Sequence, residues 1–158
     1  MLDVAVSSQV VANEFLRLAR SEERNLTNMQ VQKLVFLAQG YCLALLDRPM
    51  YYHNTHAWQW GPVVPKLYKD LRKYGSGIVM ENVPSPSDES IDPDSREHEV
   101  LTGVWKAYGN YTGGQLSALT HREGTPWFKT WMENKFGVIQ LEDIQEYYHR
   151  LVHRVDQN

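Results

Sequence analysis

Apolar residues in this chain recur mostly at helical spacing, and the breaks between the runs fall on cap residues, glycines and prolines. Val11, Phe15 and Leu18 sit at i, i+4 and i+7 and predict an amphipathic helix over 8–19, closed by the polar run at 21–25. Thr27 and Gln30 have the spacing of a capping box, and Leu26 with Val31 that of a hydrophobic staple, so a second helix starts there. Val31, Leu34, Val35, Ala38, Cys42 and Leu45 form its inner face. Phe36, Leu37 and Tyr41 widen that face until little of the helix is left for solvent, so residues 28–46 read as a buried central helix ending near Asp47, ahead of Pro49. Gly40 costs this helix roughly 1 kcal/mol of intrinsic helicity, which argues that another element approaches closely there.

The period then changes. Met50–Trp60 carries β-favouring residues on either side of Asn54 and predicts a small hairpin or an extended crossing. Pro62 and Pro65 have fixed φ and no N–H, which places them in the first turn of a helix over 62–74 whose inner stripe is Val64, Leu67, Tyr68, Leu71 and Tyr74. Gly75 takes the position just past its end. Ile78–Met80 has the character of a short strand. The stretch 81–99 holds three prolines, four serines and seven acidic residues against the single Arg96, and its 81–92 part reads as an acidic, mobile loop. Asp92-Pro93 has the form of a cap and first helical position ahead of Leu101, Val104, Trp105 and Tyr108. A second capping box, Thr112 with Gln115, opens a short helix, and Thr125-Pro126 opens another that sets Trp127 and Trp131 one turn apart. Val138-Ile139 is a short extended piece. Ile144, Tyr148, Leu151 and Val155 then mark a last helix over 142–155. The expectation is a mainly α domain spanning 1–158 around the central helix, with at most a small β-hairpin or minor sheet.

Composition narrows the class. Sixteen basic against nineteen acidic residues give a net charge of −3, so no global field draws the chain to nucleic acid or an anionic membrane. A single cysteine excludes an internal disulfide, and neither a signal segment nor an apolar run of about 20 residues is evident, which points to the cytoplasm.

Candidate chemistry is sparse. His53 with His56, and His149 with His153, are the only metal-like spacings, and without Cys-rich or HExxH company they read as surface or capping histidines. Cys42, on the apolar helix face, reads as a small hydrophobe. His121 and Glu123 admit an acid–base pair, against which stands a structural role for His121 on the last carbonyls of its helix; no nucleophile or phosphate-cradling loop accompanies them. No catalytic residue, metal or cofactor is therefore assigned. The basic stripe Lys66, Lys69, Arg72 and Lys73 is compatible with phosphate contact or with a plain solvated face. Of Trp58, Trp60, Trp127 and Trp131, at least two are expected in the core, the others being interface candidates.

The ordered set VQKLVFLAQGYCLAL, RPMYY, AWQWGPVVPKLYKDLRKYG and LTHREGTPW resembles the Panacea domain, an antitoxin family that includes SocA-type and phage-associated proteins. The pattern falls on Lys33, Leu34, Gln39 and Gly40, then on Ala57, Trp58, Gly61, Pro62, Val63 and Tyr68, and later on Thr120, His121, Pro126 and Trp127. The resemblance implies a mainly helical domain that neutralises a cognate protein toxin by direct contact. Delivery of the toxin to a protease, a chaperone partner, and a prophage-associated DNA-binding regulator are the alternatives, nucleic acid not being expected. A scaffold serving many partners keeps its buried signature and varies its surface. Trp58, Gly61 and Pro62 are accordingly expected to lock the extended crossing against Gly40, leaving Trp60, Lys66, Lys69 and Lys73 as the partner surface.

Overall fold

Helix α2 (Asn28–Leu46) is the element on which the others pack: α1 (Ser8–Ser21), α4 (Arg96–Tyr108), α5 (Gly113–His121) and α7 (Leu141–Asp156) all lie against it. The computed structural model describes residues 5–156, with side chains described as far as Arg154, so the expected contribution of the Val155 side chain lies outside what is described. The fold is mainly α, with a single two-stranded sheet among the described residues. By length and hydropathy alone α2 is apolar enough to cross a membrane, but two thirds of it is covered by its neighbours, which accounts for the composition as that of a core helix.

Local chemistry sets both ends of α2. Thr27 accepts from the Gln30 N–H, and Gln30 returns a bond to the Thr27 N–H, while Asp47 closes the other end in the left-handed region at φ 58°. Leu26 and Val31 of the staple are both buried, whereas Leu45 is exposed rather than on the inner face. Gln39, 1% exposed, clamps the returning chain, its amide donating to the Tyr51 carbonyl and accepting from the Met50 and Tyr51 N–H groups. That return is no hairpin arm: the Val6 N–H donates to the Met50 carbonyl and the Val6 carbonyl accepts from the Tyr52 N–H, a single parallel bridge that the local sequence does not encode.

The hairpin lies further on. Strand β1 (His56–Trp58) pairs antiparallel with β2 (Gly61–Val63), with His56 opposite Val63 and Trp58 opposite Gly61, so Gln59-Trp60 is a two-residue turn. Gly61 has φ +119°, a backbone open to glycine and strained for other residues. Pro62 therefore belongs to a strand, and helix α3 (Pro65–Leu71) starts three residues later than expected, with Pro65 at its first turn, before tightening to a 3₁₀ turn at Arg72–Tyr74 that stops at Gly75. The extended chain at 136–139 adds to the other edge of β1 through Ala57 and Thr55.

Two further expectations shift. Ile78–Met80 makes one bridge, Thr27 to Ile78, rather than a strand. Helix α4 starts at Arg96 with Ser95 as its cap; Asp92 instead holds a tight turn ahead of it, accepting from the Asp94 N–H through its carboxylate and from the Ser95 hydroxyl through its carbonyl. The irregular acidic stretch is fastened to α1. Asn13 forms a two-way bond with the Val83 backbone, and Glu89 accepts from the Ser7 N–H and the Tyr52 hydroxyl. The helix α6 (Pro126–Glu133) is capped by Thr125 as its sequence implies.

Candidate functional site

The motif residues Lys33 and Trp127, 94 positions apart, converge with Ser117 on the β1–β2 hairpin. Its carbonyls are taken one by one from three helices. Trp127 of α6 donates its indole N–H to the Trp58 carbonyl at 2.6 Å, Ser117 of α5 its hydroxyl to Trp60 at 2.7 Å, and Lys33 of α2 its ammonium to Pro62 at 2.8 Å. Three carbonyls that an exposed hairpin would leave to water are thereby satisfied by side chains. Gly61 makes this approach possible, since a Cβ there would lie 3.0 Å from Lys33 Nζ and 3.5 Å from the Thr120 hydroxyl.

Lys33 is the unusual member. It is 2% exposed, and burial pushes its pKa down to about 7. The Pro62 carbonyl is its one hydrogen-bond partner among the described residues, which leaves two of three donors unused there. Leu34 is fully buried beside it, Ala57 and Val63 are core on the hairpin, and Thr120 is turned onto its own helix at the Leu116 carbonyl. Gly40 is not part of this joint. A Cβ there would stand 2.5–2.9 Å from the Tyr148 ring, so α7, not the crossing, is what approaches it.

His121 is held by structure. Its Nδ1 bonds the Ser117 carbonyl and lies 3.3 Å from the Ser117 hydroxyl, and its ring meets Trp127 edge-on at 5.2 Å, while Glu123 is exposed. Pro126 is buried at the first turn of α6. Trp127 is buried and stacks on the half-buried Trp131 at 5.4 Å; Trp58 is half-buried against Tyr68, and Trp60 is 63% exposed. Cys42 is fully buried, and its thiol is pushed up to about 12 by that burial, then by Glu97. His149 and His153 stack on each other at 4.1 Å on an exposed face, His53 bonds Ser8, and His56 bonds the Phe136 carbonyl. Among the described residues no three His, Cys, Asp or Glu side chains come together to hold a metal.

In front of the joint opens a groove of about 660 Å³, floored by Gln32 and Lys33 and walled by Trp58, Trp60, Tyr68 and Phe136. Arg72 stands at its rim and no acidic residue lines it. The N-terminal ends of α2 and α5 both open onto it. Lys66 and Lys69 lie outside the groove, bordering a second cavity with His53 and His56, and Lys73 sits 3.6 Å from Glu81. The expected partner surface is thus divided: Trp60 belongs to the groove, Lys66 and Lys69 to the outer side of α3, and Lys73 to the 3₁₀ turn that follows it. Gln32 and Phe136 were not legible as groove residues, because the first sits inside an apolar helix run and the second is brought in from 76 positions beyond Trp60 by the pairing of 136–139 with β1.

No solved structure matches this chain. "Antitoxin SocA" of Caulobacter vibrioides (strain NA1000 / CB15N) is 28% identical over 136 residues, covering 78% of this chain and 69% of that protein. The model of the family described as "Antitoxin SocA-like, Panacea domain" matches residues 31–128, the span from the first turn of α2 to α6 that contains every side chain closing on the hairpin. With more than half of its length matched in this way, the chain belongs to the SocA-like Panacea antitoxin family.

Proposed function

We propose that this chain neutralises a cognate protein toxin by binding it directly, acting in the cytoplasm as a single domain without catalysis of its own. The observation that carries the reading is the clustering of exposed large apolar side chains at one place: Met29, Trp60, Tyr68 and Phe136 all line the same groove. Exposed aromatic and methionine residues gathered on one face, with basic side chains around them, are the composition of a protein-binding patch rather than of an ordinary soluble surface. Family membership supplies the kind of partner. Co-expression with the protein encoded beside it is the test. Growth restored, together with a co-purifying complex, supports binding; growth inhibition equal with and without this chain defeats the reading. A partner whose half-life shortens when this chain is present indicates delivery to a protease instead of masking.

A further inference from the structure

The floor of the groove carries an unmet hydrogen bond. Gln32 is 5% exposed and its Oε1 is the one buried side-chain oxygen or nitrogen without a partner among the described residues. Its orientation is fixed from below. Asn28 gives its amide N–H₂ to the Leu71 and Gly75 carbonyls, at 3.2 and 3.0 Å, so Asn28 Oδ1 can only accept, and Gln32 turns its Nε2 toward it at 3.4 Å. The oxygen is therefore left facing away from Asn28 with nothing to receive. A stranded buried acceptor costs stability, and its place in the floor of a groove points to a ligand that supplies the donor.

The surroundings say what else that ligand carries. Lys33 beside Gln32 has two donors unused among the described residues, Arg72 stands at the rim, and no carboxylate lines the groove to offset them. The walls are the faces of Trp58, Trp60, Tyr68 and Phe136, which accept a planar or branched apolar side chain.

We propose that the groove receives a short segment of the protein partner in which an acidic residue adjoins a large apolar one. The segment gives a backbone N–H to Gln32 Oε1, its carboxylate lies toward Arg72 and Lys33, and its apolar side chain fills the space among the tryptophans. A polypeptide is favoured over a free phosphate because phosphate would leave the aromatic walls of the groove uncovered, and over a nucleic acid because the chain as a whole is negative. This assignment rests on the proposed function and specifies its contact.

The test compares the unaltered chain with Arg72→Glu, Trp60→Ala and Gln32→Leu, taking Lys106→Glu on the exposed side of α4 as control, in binding to and growth rescue from the protein encoded beside it. Trp60 and Arg72 are exposed, so their variants keep the fold. The expected result is a loss of affinity of roughly tenfold or more for each groove variant and none for the control. Gln32→Leu is expected to lose binding while melting no lower than the parent, which a purely structural glutamine would not do. If the parent binds and the groove variants bind within twofold of it, the groove is not the contact and the antitoxin reading survives. A parent that neither binds nor rescues defeats both. Displacement of the partner by millimolar ATP or inorganic phosphate overturns the peptide assignment in favour of a small anion.

Discussion

Lys33 shows how one side chain ties fold to pH. An unfolded lysine titrates near 10.5, whereas in the fold burial holds its pKa down to about 7. Between those values the unfolded chain binds a proton that the folded chain does not, so the contribution of Lys33 to stability is present above 10.5 and is lost as pH falls toward 7. Cys42, its pKa raised by burial, acts in the opposite sense above pH 9, so a single curve mixes the two. Lys33→Met isolates the lysine, because Cys42 is common to both proteins. The stability difference between parent and variant should rise by roughly 1 kcal/mol per pH unit from about 7 to 9 and be flat below it. Urea unfolding at pH 6, 7, 8 and 9 measures this; a difference constant across that range means the ammonium is solvated. A carboxylate arriving in the groove restores charge to this lysine, so partner binding and protonation of Lys33 reinforce each other.

Between helices, the contact of α2 with α7 turns on Gly40. The helix interior favours alanine by about 1 kcal/mol, but an added Cβ overlaps the Tyr148 ring, and overpacking a filled core costs about 1–3 kcal/mol. Packing wins, so Gly40→Ala is expected to lower stability by about 1–2 kcal/mol in chemical denaturation; a stabilised variant would mean that α7 yields and that the glycine marks no close contact. The sequence announced a close approach at Gly40 and misidentified its partner, and that division runs through the fold. Capping boxes at Thr27 and Thr112, the Thr125-Pro126 start, the 28–46 span and the Gly75 stop rest on residues within four positions of one another, and all were legible. Most of what was missed was long-range. Tyr51 pairs with Val6 and the acidic stretch gains anchors on Asn13 and Ser7, contacts that no local pattern encodes. The α4 cap was missed locally: Ser95 displaces Asp92, three positions before it, because Asp92 is committed to its own turn. The groove was half legible. Trp60 stood out as exposed, but Gln32 looks like a polar interruption of a buried helix until the Asn28 bonds that orient it are known.

For the molecule as a whole, a net charge of −3 leaves local basic groups: Lys66, Lys69 and Arg72 stand exposed on the α3 side, while seven acidic residues lie on 81–99, the first of them, Glu81, 3.6 Å from Lys73. At low ionic strength such exposed charges orient an approaching partner, and because the Debye length shrinks from about 10 Å at 0.1 M to about 3 Å at 1 M, salt removes the guidance while leaving apolar contacts in place. Rim charges act mainly on the rate of association and hot-spot contacts mainly on the rate of dissociation. The two halves of the expected surface are thereby separable by kinetics. Lys66 and Lys69, outside the groove, should set how fast the complex forms; Trp60, inside it, how long it lasts. Raising NaCl from about 50 to about 500 mM should slow association with the protein encoded beside this chain by roughly tenfold with little change in dissociation. The double variant Lys66→Glu, Lys69→Glu should start slower and lose most of that salt dependence, and Trp60→Ala should keep the parent's salt slope while dissociating faster. Surface-plasmon measurements at four salt concentrations separate these outcomes. An unchanged slope in the double variant would place the partner's charge against Arg72 and the groove alone, and would remove the outer lysines from the interface.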